Sequence, residues 1–255
     1  MMKPEDYMWD YSNSYEYVNR VARSAMPPLI ITAAITGGVQ GKEANINLPE
    51  EPEEQADQTY DAYKAGASMV HIHARDPEKL YNATGDPQVF GKINKLIRER
   101  CPDIIINAST GGGLGMTDEE KMACLDAGPE VASLNLAPEI FKFKFRAREA
   151  PIKHPKPAEV ADGVVHVTFD SIAMYAQKMK DLGIKPELEF YNPSNFYVMQ
   201  DLIERGLLET PYLTQFVFGS QAASLPTPAH LLTLVNDLPA QSLFTVIGTG
   251  AFQLP

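Results

Sequence analysis

Residues 68–75 read SMVHIHAR. Side chains of an extended segment alternate between faces, so Val70, Ile72 and Ala74 share one side while His71, His73 and Arg75 share the other. The apolar side suits covering helices, which leaves two imidazoles and a guanidinium aimed into the mouth of a barrel. Outward from this stretch one unit recurs: an apolar strand, a loop with polar residues, then a helix. Strands are expected at 29–36, 68–75, 103–110, 130–136, 186–192, 212–219 and 242–248, several apolar on both faces at one end as in covered parallel sheets. Amphipathic helices are expected at 53–65 and 171–182, a capping box at Thr117–Glu120, and helix-ending glycines at Gly66, Gly128, Gly183 and Gly206.

Repeated βα units leave an open doubly wound sheet or a closed (β/α)8 barrel. The first strand is followed by TGGVQGKEAN (36–45), which is not the G-x-G-x-x-G of a dinucleotide fold. The expected fold is therefore an α/β TIM barrel of which seven βα units are present and the eighth is missing from the chain. VVHVT (164–168) lies in a long excursion (137–170) and is read as a loop segment or short edge strand. Residues 1–26 are read as an N-terminal helical extension, with Ser12 or Asn13 capping a helix through Ala25. Residues 27–255 form the incomplete TIM-barrel catalytic domain.

With 255 residues, 44% hydrophobic and 22% charged, the composition is that of a globular protein. The net charge of −11 argues against nucleic acid as a partner. No apolar run nears the roughly 18 residues of a membrane span, and the polar, acidic start is unlike a signal peptide. Two cysteines, Cys101 and Cys124, suit a reducing compartment, so a cytoplasmic enzyme is expected.

Two histidines at i and i+2 on one strand can occupy adjacent positions around Zn²⁺, with a third ligand from an Asp, Glu or His elsewhere. The alternative is a hydrogen-bonded pair without metal. Ser109, Thr110, Gly111 and Gly112 follow the third strand, where amide and hydroxyl donors can hold an anion. The acidic Asp118-Glu119-Glu120 turn beyond argues for a single carboxylate rather than a polyphosphate; a ligand-free loop is the alternative. Glu187 and Glu189 share a face. Glu189 is expected in the site, and Glu187 in a salt bridge to a Lys or Arg at the barrel's base. Ser133 and Asn135 can line the pocket. His154, His166 and His230 read as surface or capping residues. Lys142, Lys144, Arg146, Arg148 and Lys153 read as a solvated face, or as a rim attracting an anionic cofactor such as a coenzyme A phosphate.

MVHIHARD, the STGGG loop, ASLNL, PELEFYN, QFVFG and TVIGTGAFQLP, in this order, resemble the β-keto acid cleavage enzymes, the family of 3-keto-5-aminohexanoate cleavage enzyme. LPEEPEEQA (48–56) also fits. The resemblance runs from about Pro28 to Pro255. It implies a zinc-dependent (β/α)8 barrel, typically a homotetramer, that converts a β-keto acid and acetyl-CoA into acetoacetate and a new acyl-CoA through a metal-stabilised enolate. It implies His71 and His73 as zinc ligands, and a substrate loop at Ser109, Thr110, Gly111 and Gly112. Ser133 stands where some members have threonine, Asn135 matches the asparagine after it, and Glu189 matches a catalytic pocket glutamate. Arg75 is expected to contact substrate.

Two departures shape the expectation. Val39 stands where some members carry a pocket glutamate, which favours a neutral β-keto acid over an amino-keto acid. The family's R-V-G-L-E-D segment, which brings an arginine, the third zinc ligand and a catalytic Asp, is not found. The chain is thus expected to be a fragment of an active enzyme, with weak metal binding and no turnover. The competing readings are a metal-dependent TIM-barrel hydrolase and a non-catalytic truncated subunit.

Overall fold

The computed structural model describes residues 8–10 and 13–253. Seven strands form one parallel sheet: β1 (Thr32–Ala34), β2 (Met69–Ile72), β5 (Ile105–Ala108), β6 (Val131–Asn135), β9 (Lys185–Phe190), β10 (Tyr212–Phe218) and β11 (Ser242–Gly248). They lie side by side in chain order, and every neighbouring pair is parallel. Helices α2 (Pro52–Lys64), α3 (Pro87–Arg100), α4 (Asp118–Met122), α5 (Phe169–Leu182), α6 (Asn195–Glu204) and α7 (Pro228–Asn236) alternate with them. α1 (Ser14–Ala22) precedes the sheet, and Asn13 caps it by accepting from the Glu16 amide at 3.1 Å. Ser12, the other expected cap, lies outside the described residues.

The outward residues Val70, Ile72, Ile106, Ala132, Leu134, Leu188, Phe190 and Phe216 pack with Phe90, Ile93, Ile172, Met179 and Leu202 of the helices into the main core. On the other face Met69, Val131, Leu213 and Leu243 meet in one small cluster, although three strands separate β2 from β10. Such contact requires the sheet to curl toward its inner face, as barrel strands do. The fold is an α/β half-barrel of seven parallel strands.

Helix punctuation follows the sequence chemistry. The Thr117 hydroxyl and Glu120 carboxylate form a reciprocal capping box. α5 ends at Gly183, whose φ of 69° and ψ of 25° are the left-handed conformation.

Three segments differ from expectation. The strand read as 68–75 breaks at His73; β3 (Ala74–Asp76) turns away and pairs antiparallel with β4 (Lys79–Thr84). The excursion after β6 holds an antiparallel hairpin of β7 (Glu139–Phe145) and β8 (Glu159–Val165), so Val164 and Val165 of VVHVT belong to neither a loop nor the barrel edge. The basic cluster is not one patch. Arg148 is buried, Lys142 pairs with Asp162 at 3.0 Å and Lys153 with Glu51 at 2.8 Å.

Candidate active site

The inner face of the sheet carries polar residues at the C-terminal ends of its strands. His71 and His73 lie on the same side of the chain, their rings edge to face with centroids 5.1 Å apart and Nε2 atoms 3.2 Å apart. Burial lowers the His71 pKa to about 4, an effect the Asn107 side chain offsets in part. His73 is held well below the usual histidine range by burial and by the nearby His71 and Arg75 charges. Both rings are therefore neutral at pH 7, with lone pairs available. Two nitrogens at 2.0–2.1 Å from a tetrahedral zinc stand about 3.3–3.4 Å apart. The pair thus fits two neighbouring positions around one ion. Among the described residues, no group of three or more His, Cys, Asp or Glu side chains is gathered to hold a metal.

The Ser109–Gly113 loop lies beside these rings. The Ser109 amide donates to the Ile72 carbonyl at 3.0 Å. Gly38, in the loop after β1, fills the space between the Gly112 carbonyl and His73; a Cβ there would stand 2.5 Å from the one and 3.0 Å from Nδ1 of the other. Ser133 ties the glycine loop to β6. The Thr110 amide donates to its hydroxyl at 3.2 Å, and the Thr110 hydroxyl donates to its carbonyl at 2.6 Å. Thr110 and Ser133 thus spend these groups on each other. Ser109 Oγ accepts from the Gly111 amide at 3.1 Å, which leaves its own proton to donate.

Opposite stand the carboxylates of β9. Glu189 is in register with Asn135 on one side and Gln215 on the other. The Tyr191 hydroxyl lies 3.2 Å from Glu189 Oε2 and 3.4 Å from Asn135 Oδ1. Burial, with Glu187 and Glu139 nearby, pushes the Glu189 pKa up to about 8, against the Tyr191 hydrogen bond. Glu139 joins this group from the hairpin, accepting from Ser220 Oγ at 3.1 Å, and its carboxyl is also pushed up by burial. Sequence reasoning missed both Glu139 and Tyr191. Tyr191 is two residues beyond Glu189, where strand alternation puts it on the same face.

Two expected roles change. Arg75 sits on β3 rather than on the inner face. Its guanidinium is buried and donates to the Gly37 and Gln40 carbonyls, with Thr36 Oγ1 at 3.5 Å, so it anchors the β1 loop instead of projecting into the mouth. Glu187 makes no salt bridge among the described residues. It is wholly buried and accepts from Asn107 Nδ2 at 2.6 Å, and burial raises its pKa. A neutral amide supplies the donor that a Lys or Arg was expected to supply.

Of the discounted histidines, His166 is exposed and the other two serve local structure. His154 Nδ1 accepts from the Leu80 amide at 3.1 Å, and His230 caps α7 with Thr227. A cavity of about 490 Å³ opens next to the site and touches it at Gly38 and Gly113; Asp76, Asp86, Glu120 and Glu159 line it against the single cation Lys156. That charge balance disfavours phosphate inside it.

A family model described as beta-keto acid cleavage enzyme matches residues 28–255. The 3-keto-5-aminohexanoate cleavage enzyme of Acetoanaerobium sticklandii is 34% identical over 230 residues, 90% of this chain and 77% of that protein. The 3,5-dioxohexanoate:acetyl-CoA acetone transferase of Paraburkholderia graminis is 31% identical, over 89% of this chain and 76% of that one. Among solved structures, the apo structure of ObcA superposes with a TM-score of 0.51 at 23% identity, covering 68% of this chain and 36% of that chain, and speaks to the fold alone. With the family model matched from the first barrel strand onward, the chain belongs to the β-keto acid cleavage enzymes.

Proposed function

We propose that this enzyme cleaves a β-keto acid with acetyl-CoA as co-substrate, giving acetoacetate and a new acyl-CoA. The observation that carries this reading is the convergence of two neutral imidazoles, 3.2 Å apart, beside a glycine loop whose Ser109 hydroxyl has a proton to donate. His71 and His73 would hold Zn²⁺, leaving its other positions to a further donor, water or a substrate oxygen. When bound, the ion supplies Lewis-acid polarisation of a keto oxygen. The residues of the chain do the rest. The Ser109 hydroxyl and the Gly112 amide receive the substrate carboxylate, with the Gly111 amide holding Ser109 Oγ in place. Thr110 and Ser133 keep that loop in place. Asn135 and Tyr191 orient Glu189, which holds a proton at neutral pH and donates it toward the reacting ketone. Because Val39 stands where some family members carry a pocket glutamate, and Glu43 and Glu50 of the same loop are taken up by Arg148, the substrate is a neutral β-keto acid.

The test is a panel of β-keto acids incubated with acetyl-CoA and the zinc-loaded chain, with acetoacetate measured by a coupled assay. Acetoacetate release that disappears in a His71→Gln/His73→Gln double variant is expected. Hydrolysis of the substrates without acetyl-CoA dependence would replace this reading with a metal-dependent hydrolase, and silence toward the whole panel, from the chain both alone and joined to the family's R-V-G-L-E-D segment, would leave a non-catalytic subunit.

A further inference from the structure

Beneath the two histidines lies a file of buried polar atoms that the proposed reaction does not use. Asn107 of β5 is wholly buried and in register with His71 of β2. Its amide nitrogen donates to Glu187 Oε2 at 2.6 Å and contacts Met69 Sδ at 3.7 Å, so the NH₂ end is committed. The Oδ1 end faces the other way and lacks a partner. His71 Nδ1 is likewise buried without one. The two residues stand opposite each other on neighbouring parallel strands. Buried polar atoms are seldom left unpaired, and a single proton on Nδ1 satisfies both.

We propose that Glu187 and Asn107 are positioning residues that fix His71 as the Nδ1-protonated tautomer, leaving its Nε2 lone pair facing His73 for a divalent cation. A neutral imidazole carries one proton, so placing it on Nδ1 decides that Nε2 is the ligand atom. Asn107 alone could flip its amide. Glu187 prevents this by requiring a donor: its Oε2 accepts from Asn107 Nδ2, and its Oε1 is buried without a partner. The chain carboxyl–amide–imidazole is the outer support that metal-bound histidines commonly have. Its purpose rests on the reading that His71 and His73 hold a metal, but the tautomer exists in the metal-free chain and is tested there.

The experiment uses the full chain labelled with ¹⁵N-histidine, its five histidines assigned and long-range ¹H–¹⁵N spectra recorded without metal. Zinc affinity is measured in parallel by competition with a chromogenic chelator. His71 is expected to carry its proton on Nδ1 in the wild type and in Glu187→Gln, whose amide oxygen still accepts from Asn107. In Asn107→Leu and Glu187→Leu the tautomers mix and zinc affinity falls about 10- to 100-fold. A wild-type His71 protonated on Nε2 overturns the proposal, as does an unchanged tautomer and affinity in Asn107→Leu. If either leucine variant fails to fold, the wild-type tautomer and the folded Glu187→Gln protein still decide the point. Wild-type protein that shows Nδ1–H yet binds no zinc keeps the relay and removes the metal assignment.

Discussion

Glu189 is a carboxyl group enclosed among carboxyl groups, and its chemistry follows from that. Burial first, then the proximity of Glu187 and Glu139, raises its pKa to about 8, so it is protonated in the resting enzyme at neutral pH. As the proposed proton donor it must lose activity when deprotonated. The pH profile of kcat/KM is expected to fall through a limb near 8. Glu189→Gln removes that limb and lowers the rate by roughly 10²–10⁴-fold. Stability carries the same signature. The folded value lies above the ordinary 4.5, so this contribution is complete below about 4.5 and is lost as pH rises toward 8. His71 works in the opposite sense: its folded value of about 4 lies below the ordinary 6.5, so its contribution is complete above 6.5 and is lost as pH falls toward 4. Between these limits the two slopes oppose, and the variants separate them. Urea unfolding across pH is expected to show a shallower acid limb in His71→Gln and a shallower alkaline limb in Glu189→Gln.

At the level of elements, the β7–β8 hairpin and the loop after β1 are locked together by one arginine. Arg148 follows the hairpin's first strand, is buried, and makes a two-pronged pair with Glu50 at 2.7 Å on both arms plus a bond to Glu43 at 2.8 Å. Burial pushes Glu43 upward, but the Gly41 and Glu43 amides and Arg148 outweigh it and hold the carboxyl below its ordinary range. Arg148→Ala strands two buried carboxylates and is expected to cost about 3–5 kcal/mol, read as a lower denaturant midpoint. Arg148→Lys does not restore the loss, because a single ammonium cannot reproduce the fork. Gly38→Ala acts on the same loop from its other end. Its Cβ would meet the Gly112 carbonyl at 2.5 Å, so the β1 loop must lift away from His73; zinc affinity and turnover are expected to drop while the denaturant midpoint changes little. How much of this was legible depends on the range of the interaction. The alternation in residues 69–73 shows through because a two-residue period is a local property. The break at His73, which carries Arg75 off the inner face, has no local mark, because the alternation runs on unbroken through Arg75 and only the pairing of β3 with β4 draws the chain away. EIFKFKF (139–145) alternates clearly too, yet its lysines read as a charge patch until β8 supplied the partner. The pairs of Arg148 with residues 98 and 105 positions away, and of Glu187 with Asn107, have no local signal at all.

Across the whole molecule, the sheet keeps its two faces for two tasks. The outer face and its helices supply the continuous apolar core, while the inner face holds a small apolar floor at Met69, Val131, Leu213 and Leu243 and polar groups above it. Burying His71 Nδ1, Asn107 Oδ1 and Glu187 Oε1 on that inner face has an energetic cost, since each gives up water and finds no partner. The proposed cation between His71 and His73 would offset part of it, and only the folded chain brings those nitrogens to 3.2 Å. Metal binding must then stabilise the fold by mass action. At a free zinc concentration 100 times the dissociation constant the gain is about 2.7 kcal/mol, which for a domain of this size raises Tm by about 5 to 10 °C. Differential scanning fluorimetry of the metal-free chain titrated with zinc is expected to show this rise, reversed by a chelator and absent from the His71→Gln/His73→Gln double variant. A rise of the same size in that variant would place the metal on other residues and leave the imidazole pair a hydrogen-bonded couple.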